Sequence, residues 1–224
     1  MRADKKPKEY SFNKNTGPKL HNFVGVDPLH YLELFFNDDL INIIAEETNR
    51  YAESKISDKQ LGPQSMWKTW REVSPHEIRV FLGLIINMGL VSIPEIKDYW
   101  SSNWLTQIKF FGDIISRNRF LQIFWMLHVG NDASEESNRG IRRTRKIHGI
   151  IEHTERQFQK FFIPGRSVAI DESTIGFKGK VSFKTYNPKK PTKWGLRLFV
   201  LADSDTGYVH SIIPYYGKVT PDVC

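Results

Sequence analysis

The sequence predicts an α+β chain in which a helical region comes first and strands follow. Three observations carry this. Apolar residues recur at the helical period through much of 27–162. The pattern then breaks at "IPGRS", Ile163 to Ser167. Beyond the break come short β-type runs, Val168 to Ser173, Leu196 to Ala202 and Tyr208 to Tyr215, with "DSDTG" as the turn between the last two. At 224 residues and 40% hydrophobic content the chain can bury a real core, as one large domain or two small ones.

Residues 1–26 are polar, with scattered Lys, Pro and Gly, and read as an extended or disordered lead-in. "DPLHYLELFF" then offers Asp27 as N-cap with Pro28 at the first helical position, and a second helix follows with Leu40, Ile43, Ile44 and Tyr51 on one face. "SPHEIRVFLGLIINMGL" opens with Ser74, Pro75 and Glu77, a capping box around a permitted proline. It continues apolar on all sides, which predicts the central buried helix. A second Ser-x-x-Glu signal, Ser92 to Glu95, opens a short turn leading to Tyr99, Trp100 and Trp104. Phe120, Ile123, Phe124 and Leu127 fall at helical spacing, and so do Ile147, Ile151, Thr154, Phe158 and Phe161. The segmentation is therefore a lead-in over 1–26, a helical region over 27–162, and a partial sheet domain over 163–224 with its first three strands.

The formal charge of +7 favours an anionic partner. One cysteine, Cys224, excludes an internal disulfide framework and a Cys-based zinc site within these residues. The first residues have no apolar core and no apolar run approaches the length of a membrane span, so a soluble, intracellular protein with no membrane partner is expected. The histidines show no HExxH, and there is no Gly-rich phosphate loop and no GxSxG, so no small-molecule substrate is indicated. Trp67, Trp70, Trp100 and Trp104 are read as core rather than as a base-stacking platform.

Two features remain. Val168, Ala169 and Ile170 lead directly into Asp171 and Glu172, so the strand alternation turns one carboxylate toward whichever face is buried. A hard cation such as Mg²⁺ would stabilise it, and a strand-end acid paired with a nearby lysine is the competing reading. The second feature is basic. Lys178, Lys180, Lys184, Lys189, Lys190, Lys193 and Arg197 follow one another with no acid between them, interleaved with Phe183, Tyr186 and Trp194. Cations on a connected surface contact phosphates, and aromatics between them stack on unpaired bases or sugars. A lysine-protected sheet edge, with the aromatics packed inward, would give the same pattern. A further cluster, Arg139, Arg142, Arg143, Arg145 and Lys146, precedes a helix start that disfavours cations, which points to phosphate contact or nuclear import, or simply to an exposed loop.

The blocks "DPLHYLELFFNDDLINIIAEETNRYAE", "EIRVFLGLIINMGLVSIPEIKDYWS", "SRNRFLQIFWMLHVGND" and "IDESTIGFKGKVSFKTYNPKKPTKWGLRLFVLADSDTGYV", in this order, resemble the piggyBac transposases and the proteins derived from them. The resemblance runs from about Asp27 to Lys218. It implies a helical dimerisation and DNA-binding region, then an RNase H-like domain in which three aspartates bind Mg²⁺, then a cysteine-rich zinc domain. Asp171 matches the first catalytic aspartate and metal ligand. The blocks of the second and third do not occur in this sequence, and Asp203, Asp205 and Asp222, in a turn and a tail, do not stand in for them. The family cuts DNA at transposon ends and joins the freed 3′-hydroxyl to a TTAA target. The expectation is therefore a nuclear, transposase-derived DNA-binding protein, catalytically inactive as this chain alone, as a homodimer or a heterodimer with a related transposase. The alternatives are a site completed by a full-length relative, a regulatory protein-interaction partner, or a non-functional remnant.

Overall fold

In the computed structural model, which describes residues 11–19, 27–57, 59–130 and 146–217, the break in periodicity separates helices from sheet. Contacts divide the described residues into two units. One holds those of 28–130 and 146–150, and the other holds 11–19, 27 and 151–217.

The helical unit starts with α1, Pro28–Phe35, which buries no side chain. Next, α2 spans Asp38–Ile56 and is capped by Asn37, whose side chain accepts from the Leu40 N–H at 3.1 Å. Asp38 and Asp39 in its first turn suit the positive end of the helix dipole. Its buried stripe is Leu40, Ile41, Ile44, Ala45, Thr48 and Ala52. The expected face was shifted, because Ile43 is 46% exposed and Ile41 takes its place. The small residues Ala45 and Ala52, which a pattern of bulky side chains underweights, let the neighbouring helices approach that side.

The helix α3, Pro75–Leu90, starts with the expected capping box: Ser74 Oγ accepts from Glu77 N–H, and Glu77 Oε2 accepts from Ser74 N–H, both at 3.2 Å. It is not buried all round. Ile78, Phe81 and Leu84 face the core, whereas Ile86 is 55% and Leu90 81% exposed. A helix packed on one side has one dry stripe however apolar its composition.

After α3, a 3-10 turn covers Ile96–Trp100 with Glu95 at its N-cap position and no side-chain cap bond, so the second Ser-x-x-Glu signal is not a capping box. Tyr99 holds this corner instead, its hydroxyl accepting from Ile93 N–H at 3.0 Å and donating to Val91 O at 2.7 Å. Trp100 donates its indole N–H to Ile115 O at 2.7 Å and joins the core. Trp104 does not. It sits in a turn and is 88% exposed, against the expectation of a core tryptophan. Two short helices follow, α4 at Lys109–Ile114 and α5 at Arg117–Met126, the latter capped by Ser116. Phe111 and Phe120 close the core against Tyr99, Phe81 and Trp100, with ring centroids 4.7 to 5.0 Å apart. Beyond α5, buried Thr48 clasps the backbone of His128, its hydroxyl bonded to both N–H and O of that residue at 3.2 Å.

The helix α6 runs over His148–Phe161, and the sheet unit takes in its residues from Ile151 onward. Two small strands, β1 at Gly17–Pro18 and β2 at Phe162–Ile163, pair antiparallel. Lys19 adds a backbone bond to Phe161 O at 2.9 Å, so this part of the expected lead-in is ordered by pairing. The main sheet contains β3 (Val168–Gly176), β4 (Thr185–Tyr186), β5 (Trp194–Asp203) and β6 (Val209–Pro214). β5 lies in the middle. Along one edge it pairs with β3, from Val168↔Asp203 to Gly176↔Gly195. Along the other it pairs with β4 near its start and with β6 toward its end, all antiparallel. The turn from β5 to β6 is the "DSDTG" segment, where Gly207 takes φ +71, a region that disfavours side chains. Tyr208 ties α6 to the sheet through its hydroxyl bond to Phe158 O at 3.0 Å and its stack on Phe162 at 4.2 Å. Among the described residues, no helix is long and apolar enough to cross a membrane.

Candidate nucleic-acid interface

Strand register decides what the two acids of "IDE" do. Successive residues point to opposite faces, and Glu172 opposes Phe199 while Thr174 opposes Arg197. Glu172 and Arg197 are therefore diagonal neighbours on one face, and the Arg197 guanidinium donates to Glu172 Oε1 at 2.9 Å. Lys190 donates to the Glu172 backbone carbonyl at 3.0 Å. The acid paired with a cation is thus Glu172, and its partner is an arginine. Asp171 lies on the other face, exposed, and accepts the Glu172 N–H at 2.7 Å.

Among the described residues, no group of three or more His, Cys, Asp or Glu side chains is placed to hold a metal ion. Asp203, buried, is engaged in the turn: it accepts from Gly165 N–H at 2.6 Å, and from the N–H and hydroxyl of Thr206 at 2.9 and 2.7 Å. The Thr206 hydroxyl, followed by these backbone N–H groups, holds its carboxyl below the ordinary aspartate value.

The basic tract separates into two sets. Lys184 donates to Gly179 O at 2.8 Å and stands over the Trp194 ring at 5.1 Å. Lys190 and Arg197 are bound to Glu172, and Arg197 also lies 5.3 Å over Tyr215. These three act within the sheet. Lys178, Lys180, Lys189 and Lys193 are exposed and have no carboxylate partner among the described residues. Tyr186 and Trp194 oppose one another at the first rung of β4 and β5, with ring centroids 4.5 Å apart. They are 51% and 53% exposed, so they are not packed inward. Of the other basic cluster singled out, Arg139, Arg142, Arg143 and Arg145 lie outside the described residues, and Lys146 is exposed. The Glu172–Arg197 pair was missed in the sequence, because it depends on the register of β3 on β5, which the "DSDTG" turn between β5 and β6 does not set.

A family model described as "Transposase IS4" matches residues 27–222. Human PiggyBac transposable element-derived protein 3 is 27% identical over 191 residues, covering 85% of this chain and 30% of that protein. Human PiggyBac transposable element-derived protein 2 is 27% identical over 194 residues, covering 87% and 30%. The cryo-EM structure of a piggyBac transposase synaptic complex with hairpin DNA superposes with a TM-score of 0.77 and 25% identity, covering 94% of this chain and 43% of that one.

The chain belongs to the piggyBac transposase family. It spans about a third of the length of these curated piggyBac relatives. The order of helices and antiparallel strands described above is the part of the piggyBac architecture that the superposition covers.

Proposed function

We propose that this chain is a transposase-derived DNA-binding protein in which the loops around β4 contact DNA phosphates. The observation that carries the reading is the set of four exposed lysines, Lys178, Lys180, Lys189 and Lys193, without carboxylate partners among the described residues, beside the exposed Tyr186 and Trp194 rings. Cations so arranged bind a polyanion by releasing its condensed counterions, a gain that added salt diminishes, and the rings stack on sugars or on unpaired bases. The related synaptic complex contains DNA, which supports the same assignment.

The antiparallel run β3–β5–β6 supports reading the sheet as the opening strands of an RNase H-like domain. On that reading Asp171 is the first carboxylate of a site at which DDE-type transposases use a divalent metal. The described residues do not fit a two-ion site, because such a site needs several converging carboxylates and Glu172 points away into its pair with Arg197. DNA strand transfer is the lineage of the fold, and binding is the activity proposed for this chain. A nuclear location goes with it. A second reading, association with another copy or a related transposase, draws on Ile86 and Leu90, apolar and open on α3.

The test is a salt titration. Duplex DNA binding is followed by fluorescence anisotropy from low to high NaCl, for the wild type and for the chain with Lys178, Lys180, Lys189 and Lys193 all changed to Ala. Each lost phosphate contact lowers the log–log salt slope by about 0.9, so the variant should lose about 3 to 4 from the slope. An unchanged slope would refute the assignment. Sedimentation of a Leu90→Glu variant tests the association.

A further inference from the structure

A pocket of about 230 Å³ on the helical unit is walled by Tyr51, Trp67, Trp125 and Met126 and flanked by Lys55 and Lys59. Tyr51 and Lys55 lie one turn apart on the last part of α2 and so share a face. The Lys55 ammonium stands 5.1 Å over the Tyr51 ring. That ring is fixed from behind by His128, stacked at 4.3 Å and 3° from parallel. Trp67, on a 3-10 turn at Met66–Thr69, is braced by Trp70 at 6.4 Å. Trp125, from the end of α5, is 63% exposed although it borders a cavity that could cover it. Among the described residues, no carboxylate lines this pocket.

Three aromatic walls call for a flat apolar ring system, and two ammonium groups with no acid among the described lining residues call for an anion beside it. The volume lies below the roughly 300–1,000 Å³ of drug-sized sites, which suits one ring system rather than a base pair. We propose that this pocket holds a single unpaired nucleotide, its base on the open Trp125 ring and its phosphate on Lys55 and Lys59. Paired bases are stacked within the duplex and cannot enter, so the ligand is single-stranded or displaced DNA. The walls offer few hydrogen-bonding groups, so the site is tolerant of base identity. It lies on the helical unit and does not rest on the lysine tract of the sheet unit.

The test uses the full chain carrying the four-lysine replacement described above, so that the two sites are read separately. Binding of a 5′-phosphorylated, fluorescein-labelled tetrathymidylate is followed by anisotropy, with an abasic tetramer of the same charge as control. Trp125→Ala is expected to weaken the tetrathymidylate about tenfold or more, as loss of base stacking does. Lys55→Ala with Lys59→Ala is expected to weaken both probes, and Trp125→Phe to retain most of the affinity. Circular dichroism confirms the fold, and the exposure of Trp125 makes its replacement tolerable. Equal affinity for the abasic probe, or Trp125→Ala binding within about twofold of its parent, overturns the proposal.

Discussion

Changing Glu77 to Gln removes one charge while leaving an amide that still closes the capping box. Its consequence reaches beyond α3, because Glu77 is also the acceptor for Arg119 of α5. Arg119 donates Nε to Oε1 at 2.8 Å and Nη2 to Oε2 at 2.9 Å, and its own side chain is only 9% exposed. Burial by itself would raise the Glu77 carboxyl. The Arg119 hydrogen bonds, the Ser74 N–H and Arg71 outweigh it and bring the value from 4.5 down to about 2. At about 1.4 kcal/mol per pH unit, that shift caps the contribution near 3 kcal/mol. Arg71 is 65% exposed and opens the cluster to solvent, so screening leaves about 1–2 kcal/mol. A lowered folded-state value means that the stabilisation is fully present above about pH 4.5 and is lost as pH falls toward 2. Urea unfolding followed by tryptophan fluorescence reports chiefly on the helical unit, which holds all the tryptophans except Trp194. Glu77→Gln should lower stability by about 1–2 kcal/mol at pH 7, and the difference should shrink steadily below pH 4.5. A difference that stays constant down to pH 2.5, or none at pH 7, would refute the electrostatic argument.

Other positions give sharper local tests. A Cβ at Gly195 would lie 2.4 Å from Ile175 O, across the β3–β5 pairing, so Gly195→Ala should cost about 1–3 kcal/mol; an unchanged melting temperature would show that the strands can part without loss. Tyr99→Phe removes the hydroxyl that bonds Val91 O and Ile93 N–H, and should cost about 1–3 kcal/mol by urea unfolding. The Asp203 carboxyl is held below its ordinary value, so its turn is intact above the usual aspartate range and loosens as pH falls through the lowered one. The Gly165 and Thr206 amide resonances should move together in that acid range, and Asp203→Ala should abolish the movement.

Much of the helical order was legible because caps are local chemistry. Ser74, Pro75 and Glu77 announce α3 within four residues, and the structure keeps every bond of that signal. Burial was less legible. The period of α3 is apolar on all sides, yet only contacts with neighbouring elements decide that Leu84 is covered and Leu90 is open. Trp104 shows the same limit: an indole in a turn has no partner that spacing could reveal. In the sheet, the runs and the "DSDTG" turn were visible, whereas the division of the cations was not. Seven basic residues look alike in sequence, and only the register of β3 on β5 commits Lys190 and Arg197 to Glu172. The pocket at Tyr51 was invisible for a related reason, since its walls come from three separated segments.

The Thr48 clasp on His128 joins residues 80 apart in sequence and so encircles nearly the whole helical unit. A contact of that span pays its loop-closure entropy only after the intervening helices have shortened the distance. It is therefore expected to be among the last bonds made during refolding. The Tyr51 ring, parallel to His128, would then shift the imidazole resonances upfield only in molecules whose assembly is complete, which makes His128 a built-in marker of the final step.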